Sequence, residues 1–185
     1  MNTTTWIILG VVVLIAFFAI RIYNGLISLK NKVDEAWADI ETQLKRRYDL
    51  IPNIVETVKG YAGHEKSTLE NVIKARNSAM SAGTFADKAQ AENALSGTLK
   101  SLFALSENYP DLKANQSFLD LQQTLKDVEE HLQLSRRYYN ATVRDFNIKV
   151  EIFPNNIFAG MLGFKKRDFF QTDSEEERKN VKVAF

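Results

Sequence analysis

The sequence predicts an all-α protein: one N-terminal transmembrane helix followed by an antiparallel bundle of four long helices. Three observations predict it. Residues 6–20 carry no charged or strongly polar side chain. Beyond Tyr23, apolar residues recur at spacings of three and four, the repeat of a helix with one face in a core. No segment sustains the two-residue alternation of a strand. Composition agrees, because 45% hydrophobic residues are too many for a disordered chain, and three prolines and eight glycines among 185 residues leave room for long helices.

The fifteen apolar residues at positions 6–20 rise about 22 Å as a helix, against a bilayer core of roughly 30 Å. Thr3, Thr4 and Thr5 can enter the interface at one end. At the other, Arg21 can snorkel while Ile22 and Tyr23 lengthen the apolar span. A cleaved signal peptide is the main rival. It needs a basic start, and residues 1–5 contain no Lys or Arg. It also needs paired small residues before the cut, and Phe17 spoils the pairing with Ala19. Arg21, Lys30, Lys32, Lys45, Arg46 and Arg47 all follow the span. The positive-inside bias therefore places the N-terminus outside and the remainder in the cytoplasm, as a single-pass protein of the inner membrane.

The first helical run places Leu26, Leu29, Val33, Ala36 and Ile40 on one stripe. Leu44, Tyr48, Ile51, Val55, Val58 and Ala62 continue it one residue out of phase, a stutter that locally straightens a supercoil. Pro52 lies inside this run and lacks a backbone donor, which predicts a kink or a restart. Gly60 and Gly63 mark the next break. A second helix is expected over roughly residues 65–81, with Leu69, Val72, Arg76 and Ala79 on its face. A loop at residues 82–85 leads to a third helix, about 87–107, carrying Ala91, Leu95, Leu99, Leu102 and Leu105. Tyr109-Pro110-Asp111 ends it.

The fourth helix, about residues 115–150, has the cleanest seam: Phe118, Leu121, Leu125, Val128, Leu132, Ser135, Tyr139, Val143, Phe146 and Val150. Pro154 stops it. In the tail beyond, Phe158, Phe164, Phe169 and Phe170 are expected to anchor an irregular segment on the bundle. The expected organisation is an anchor over residues 1–23, a bundle domain over 24–152 and a packed tail over 153–185.

Chemistry-bearing motifs are sparse. With no cysteine there is no disulfide, thiolate metal site or cysteine nucleophile. His64-Glu65 opens like a zinc-protease helix, but position 68 is Thr68 rather than the second histidine that one turn would bring to the same face. His131 follows Glu129 and Glu130 but stands beside the seam, and a metal-binding bundle needs several inward carboxylates. Asn115-Gln116-Ser117 and Asn140-Ala141-Thr142 fit the glycosylation pattern, the latter inside a helix. A net charge of +1 argues against nucleic-acid binding, which wants a broad basic field. No catalytic, cofactor or metal residues are assigned.

Two basic-aromatic clusters stand out: Arg46, Arg47 and Tyr48, and Arg136, Arg137 and Tyr138. Their bland role is pairing at the bundle edge with carboxylates such as Glu41, Asp49 or Asp145. Their functional alternative is a surface, made by both clusters, for an anionic ligand or a partner.

An ordered set of residues along the chain resembles the LemA family of bacterial membrane proteins. Tyr23-Asn24 follow the span, and Val33, Ala36 and Trp37 precede the run from Arg46 through Tyr48 and Pro52 to Asn53. The run from Gly60 to Glu65 comes next, then Ala75-Arg76. Arg137, Tyr138, Tyr139, Asn140, Val143, Phe146 and Asn147 follow, and Phe153-Pro154-Asn155-Asn156 and Gly163-Phe164 close the pattern. The resemblance covers nearly the whole chain; Gly63 before His64 departs slightly from it. It implies a single-span membrane protein with an antiparallel helical bundle and lends no catalytic residues. The expected function is a non-enzymatic scaffold that meets the bilayer through residues 6–20 and protein partners through its helix faces. A ligand-sensing bundle is the alternative.

Overall fold

The computed structural model describes residues 2–170. Among them are six helices and no strand: α1 (Thr3–Tyr61), α2 (Lys66–Ser81), α3 (Phe85–Ser106), α4 (Pro110–Lys113), α5 (Gln116–Glu151) and α6 (Asn155–Met161). The all-α expectation holds, and α2, α3 and α5 begin and end within two residues of the positions read from periodicity, while the span and the first helical run merge into one continuous α1. The tail differs: part of it forms α6 rather than irregular chain. Residues 171–185, the end of the expected tail, lie outside the described residues.

The described chain divides into two compact units, one of residues 2–40 with 135–169, the other of residues 41–134 with Phe170. Helices α1 and α5 each contribute to both.

In the first unit, the large apolar side chains of residues 6–20 are exposed. This stretch makes α1 the one helix among the described residues long and apolar enough to cross a membrane. Beyond it Ile22, Leu26, Val33, Ala36 and Ile40 of α1 are buried, as are Tyr139, Val143 and Phe146 of α5. The Trp37 ring meets the edge of Tyr139 at 5.6 Å between centroids.

Helix α6 ends in a Schellman turn. The Phe164 N–H donates to the Ala159 carbonyl at 2.9 Å and Gly163 to Gly160 at 3.4 Å. Gly163 has φ +75°, which a side chain would strain. The turn delivers Phe164 against Phe146 and Tyr23, with ring centroids at 6.5 and 6.2 Å.

The chain after this turn is strapped to α5 by polar bonds. Asn147 Nδ2 donates to the Arg167 carbonyl, and its Oδ1 accepts from the Arg167 N–H, both at 2.9 Å. One amide side chain thus satisfies both backbone groups of one residue, as a neighbouring strand would. The Tyr139 hydroxyl donates to the Asp168 carbonyl at 3.0 Å. Burial holds the Tyr139 phenol above its ordinary value; Arg167 opposes the shift, and Asp168 and Asp34 reinforce it. Arg167 also pairs with Asp34 of α1 at 3.0 Å, an exposed contact of small energetic weight. Of the expected phenylalanine anchors, Phe170 is buried and Phe158 and Phe164 are half-buried, but Phe169 is exposed.

In the second unit, α1, α2, α3 and α5 surround a shared core. Leu44, Ile51, Ile54 and Val58 come from α1, Leu69 and Val72 from α2, Leu95, Leu99 and Leu102 from α3, and Phe118, Leu125 and Leu132 from α5. Short links make successive helices antiparallel. Thr84 caps α3 by accepting from the Asp87 N–H at 3.1 Å. Asn115 caps α5 through Phe118 N–H at 2.9 Å and donates to the Tyr61 hydroxyl at 2.9 Å. At the end of α1, a Cβ on Gly63 would sit 3.1 Å from the Lys59 carbonyl oxygen, a close approach that favours glycine.

Pro52 does not restart the first helix; α1 runs on to Tyr61. Having no N–H, Pro52 cannot bond the carbonyl four residues back, that of Tyr48. Arg76 Nε of α2 supplies this bond at 2.8 Å. The second helix thus repairs the defect that proline makes in the first.

Two predictions follow from these bonds. Arg76→Met should cost about 1–3 kcal/mol in denaturant unfolding by leaving the Tyr48 carbonyl unmet. In a Pro52→Ala background the cost should shrink, because residue 52 regains its donor; equal costs in both backgrounds would refute the repair. Asn147→Ala should cost about 2 kcal/mol through two lost hydrogen bonds and speed tryptic cleavage at Lys165, Lys166 and Arg167. Asn147→Asp, which keeps the acceptor alone, should lie between alanine and wild type.

Candidate functional site

The first basic-aromatic cluster splits across the surface of α1. Arg46 points to solvent. Arg47 and Tyr48 turn inward, and the Arg47 side chain is only 1% exposed. A helix advances about 100° per residue, so adjacent residues cannot share one direction. Position 47 lies three after Leu44 and four before Ile51, on the core stripe itself.

A buried guanidinium needs both charge and hydrogen-bond partners. Arg47 Nη1 donates to Glu92 Oε2 at 2.6 Å, and Nη2 donates to Ser96 Oγ at 2.7 Å. Glu92 and Ser96 stand one turn apart on α3. Arg47 Nε forms an ion pair with Glu129 Oε1 of α5 at 2.7 Å. The Tyr48 hydroxyl donates to the other Glu92 oxygen, so two successive α1 residues grip one carboxylate. Glu92 is fully buried. With Arg76 on the Tyr48 carbonyl, the four long helices of this unit are tied at one level.

Arg47 thus pairs with carboxylates, as expected of the clusters, but its partners are Glu92 and Glu129; Asp145 pairs with its neighbour Arg144. Glu92 escaped the sequence reading, although a signal existed. It stands three before Leu95 and seven before Leu99, a charged residue on the apolar stripe of α3, as Arg47 is on that of α1.

The second cluster belongs to the first unit. Arg136 is half-buried, while Arg137 and Tyr138 are exposed and Tyr139 turns inward. The two clusters therefore fall in different units: Arg46, Arg47 and Tyr48 in one, Arg136, Arg137 and Tyr138 in the other.

Chemically, the Arg47–Glu92–Tyr48 group is a closed electrostatic unit. Two oxygens of one carboxylate are taken by two donors, and neither Arg47 nor Glu92 meets solvent. Such a group fixes helices relative to one another; it offers no face to a dissolved substrate. His64 and His131 are exposed, and the described residues hold no group of three or more His, Asp or Glu placed to bind a metal. A smaller polar contact joins Tyr109 to Glu65 at the start of α2, at 3.4 Å. Desolvation, then the Glu65 charge and its hydrogen bond, raise that phenol above its ordinary value.

Comparison with known proteins finds the following similarities. Magnetosome protein MamQ 1 of Paramagnetospirillum magneticum is 23% identical over 190 residues, covering 89% of this chain and 70% of the relative. Magnetosome protein MamQ of Magnetospirillum gryphiswaldense is 22% identical over 190 residues, covering 88% and 70%. Protein LemA of Metamycoplasma hominis is 27% identical over 166 residues, covering 87% and 74%. Residues 36–185 match the LemA family as a whole. With its exposed apolar helix and a match across four-fifths of its length, this membrane-associated helical chain belongs to the LemA family.

Proposed function

We propose that this chain is a membrane-anchored, non-enzymatic helical scaffold. Residues 1–23 form the anchor, 24–152 the bundle domain and 153–185 the tail, whose described part, residues 153–170, packs on the bundle. The anchor sits in the inner membrane with its N-terminus outside, and the bundle faces the cytoplasm. Polar outer faces of the helices engage a protein partner.

One observation carries this reading. The side chains best suited to chemistry, Arg47, Tyr48 and Glu92, are buried and engaged with one another in holding helices together. Exposed basic residues after the span and none before it support the orientation. The names of the relatives, LemA and MamQ, denote no reaction.

A second reading keeps an anion-responsive role for Arg46, Arg47, Tyr48, Arg136, Arg137 and Tyr138. Its support is that Arg46, Arg137 and Tyr138 present cationic and aromatic groups to solvent. Arg47 would join only by leaving Glu92 and Glu129.

The scaffold reading is tested by photo-crosslinking in intact cells from exposed helix positions such as Glu70 and Lys100. Discrete adducts with one protein are expected; none from any face would refute it. Because the chain has no cysteine, Thr3→Cys should react with an impermeant maleimide in whole cells, and Ser81→Cys only after lysis. The reverse pattern would invert the topology. For the anion-responsive reading, inorganic phosphate should raise the unfolding temperature of the full chain in detergent, and Arg46→Ala with Arg137→Ala should abolish the shift. An undiminished shift in that double variant would remove these residues from consideration.

A further inference from the structure

We propose that α6 and the turn before it form an interfacial foot that seats in the headgroup region of the bilayer, beside the emerging transmembrane helix. The proposal rests on the membrane-anchored reading above.

Helix α6 holds to its unit by one side only. Asn155 and Ala159 are buried and Phe158 is half-buried. The opposite side is bare and presents Ile157 and Met161 beside Asn156 and Gly160. Ile157 and Met161 stand four apart on one stripe, Leu162 follows, and Ile152 and Phe153 lie in the turn just ahead. Phe153 and Met161 are 79% and 80% exposed. Isolated exposed apolar side chains are ordinary, but five large ones within eleven residues mark a surface made for an apolar partner.

Its position identifies that partner. The turn that ends α6 packs Phe164 against the Tyr23 ring at 6.2 Å. Tyr23 lies three residues beyond Ile20, about 4.5 Å along α1 from the last residue of the apolar stretch. The bare face of α6 and the exposed apolar surface of α1 thus belong to one unit, joined at the depth where a span leaves hydrocarbon. Tyrosine is at home at that depth.

The charges agree. Exposed Arg21 stands at the end of the span and exposed Lys165 follows the turn, beside Lys166 and Arg167, which pair with Glu151 and Asp34. Such a mixture of basic and bulky apolar groups suits a segment lying in an interface with anionic headgroups. A short apolar helix cannot itself cross the bilayer, so it lies in the plane.

The test uses the full chain in nanodiscs of phosphatidylcholine and phosphatidylglycerol. Single cysteines replace Val13 in the span, Phe153 and Met161 in the foot, and Glu107 as an aqueous reference. Each carries an environment-sensitive fluorophore, quenched in turn by lipid-borne nitroxide and by aqueous iodide. Labels at positions 13, 153 and 161 should emit to the blue of the label at 107, with several-fold stronger quenching from lipid than from iodide. If position 13 is quenched from lipid while 153 and 161 are quenched from water, the foot is wrong and the anchor stands. If 153 and 161 resist both quenchers, a protein surface covers the patch and the lipid assignment is overturned. If position 13 itself is not quenched from lipid, the anchor reading fails and the foot fails with it.

Discussion

A guanidinium moved out of water costs several kcal/mol unless its charge and its donors are met where it lands. The second unit of this protein is organised around that constraint. Arg47 occupies a core position on α1, and its neutralisation recruits Glu92 and Ser96 from α3 and Glu129 from α5. Replacing such a group with aliphatic residues often leaves a bundle equally stable. What the ionic group supplies is register. A leucine tolerates a neighbour displaced by a turn; a carboxylate clasped at both oxygens does not. Tyr48 tightens the requirement, because it must reach the Glu92 oxygen that Arg47 leaves open. Pro52 belongs to the same arrangement one turn later, since the carbonyl it orphans is the one Arg76 reaches from α2.

The first unit solves a different problem with the same means. An amide side chain on α5 takes the place of a strand partner and holds an extended segment by its backbone. Apolar rings set where that segment begins, through Phe164 between Tyr23 and Phe146. Polar bonds then set its path. The two units share a logic in which burial brings helices together and a few directional bonds choose among the packings that burial alone would allow.

Most of the fold was legible in the sequence because helical periodicity is local. The α5 seam from Phe118 through Val143 to Phe146 and the α1 stripe from Leu26 to Val58 needed no knowledge of what they packed against. The directional bonds were not legible, because they join residues far apart. Arg47 and Glu92 are separated by 45 positions, and neither names the other. Pro52 showed that a carbonyl would lose its donor, but not that Arg76 would replace it, so a kink or a restart was expected. The tail was legible only in part for a related reason. Its phenylalanines suggested anchoring by rings, which Phe164 and Phe170 supply, but Asn147 and the seam residue Tyr139 add polar bonds to the backbone of Arg167 and Asp168. The basic clusters were visible as patterns, yet adjacent arginines at 46 and 47 have opposite fates, which only the rotation of the helix decides.

The short apolar stretch of α1 has a consequence for where the protein rests laterally. A span of fifteen apolar residues is several ångströms thinner than an average hydrocarbon slab. Beyond what Ile22, Tyr23 and a snorkelling Arg21 make up, surrounding lipids thin to meet it, at fractions of a kcal/mol for each ångström of mismatch. Two such helices sharing one dimple deform fewer lipids than two apart, so thickness alone draws copies together and towards thin regions of membrane. Congregation of this kind would arise without any contact between the helical domains themselves.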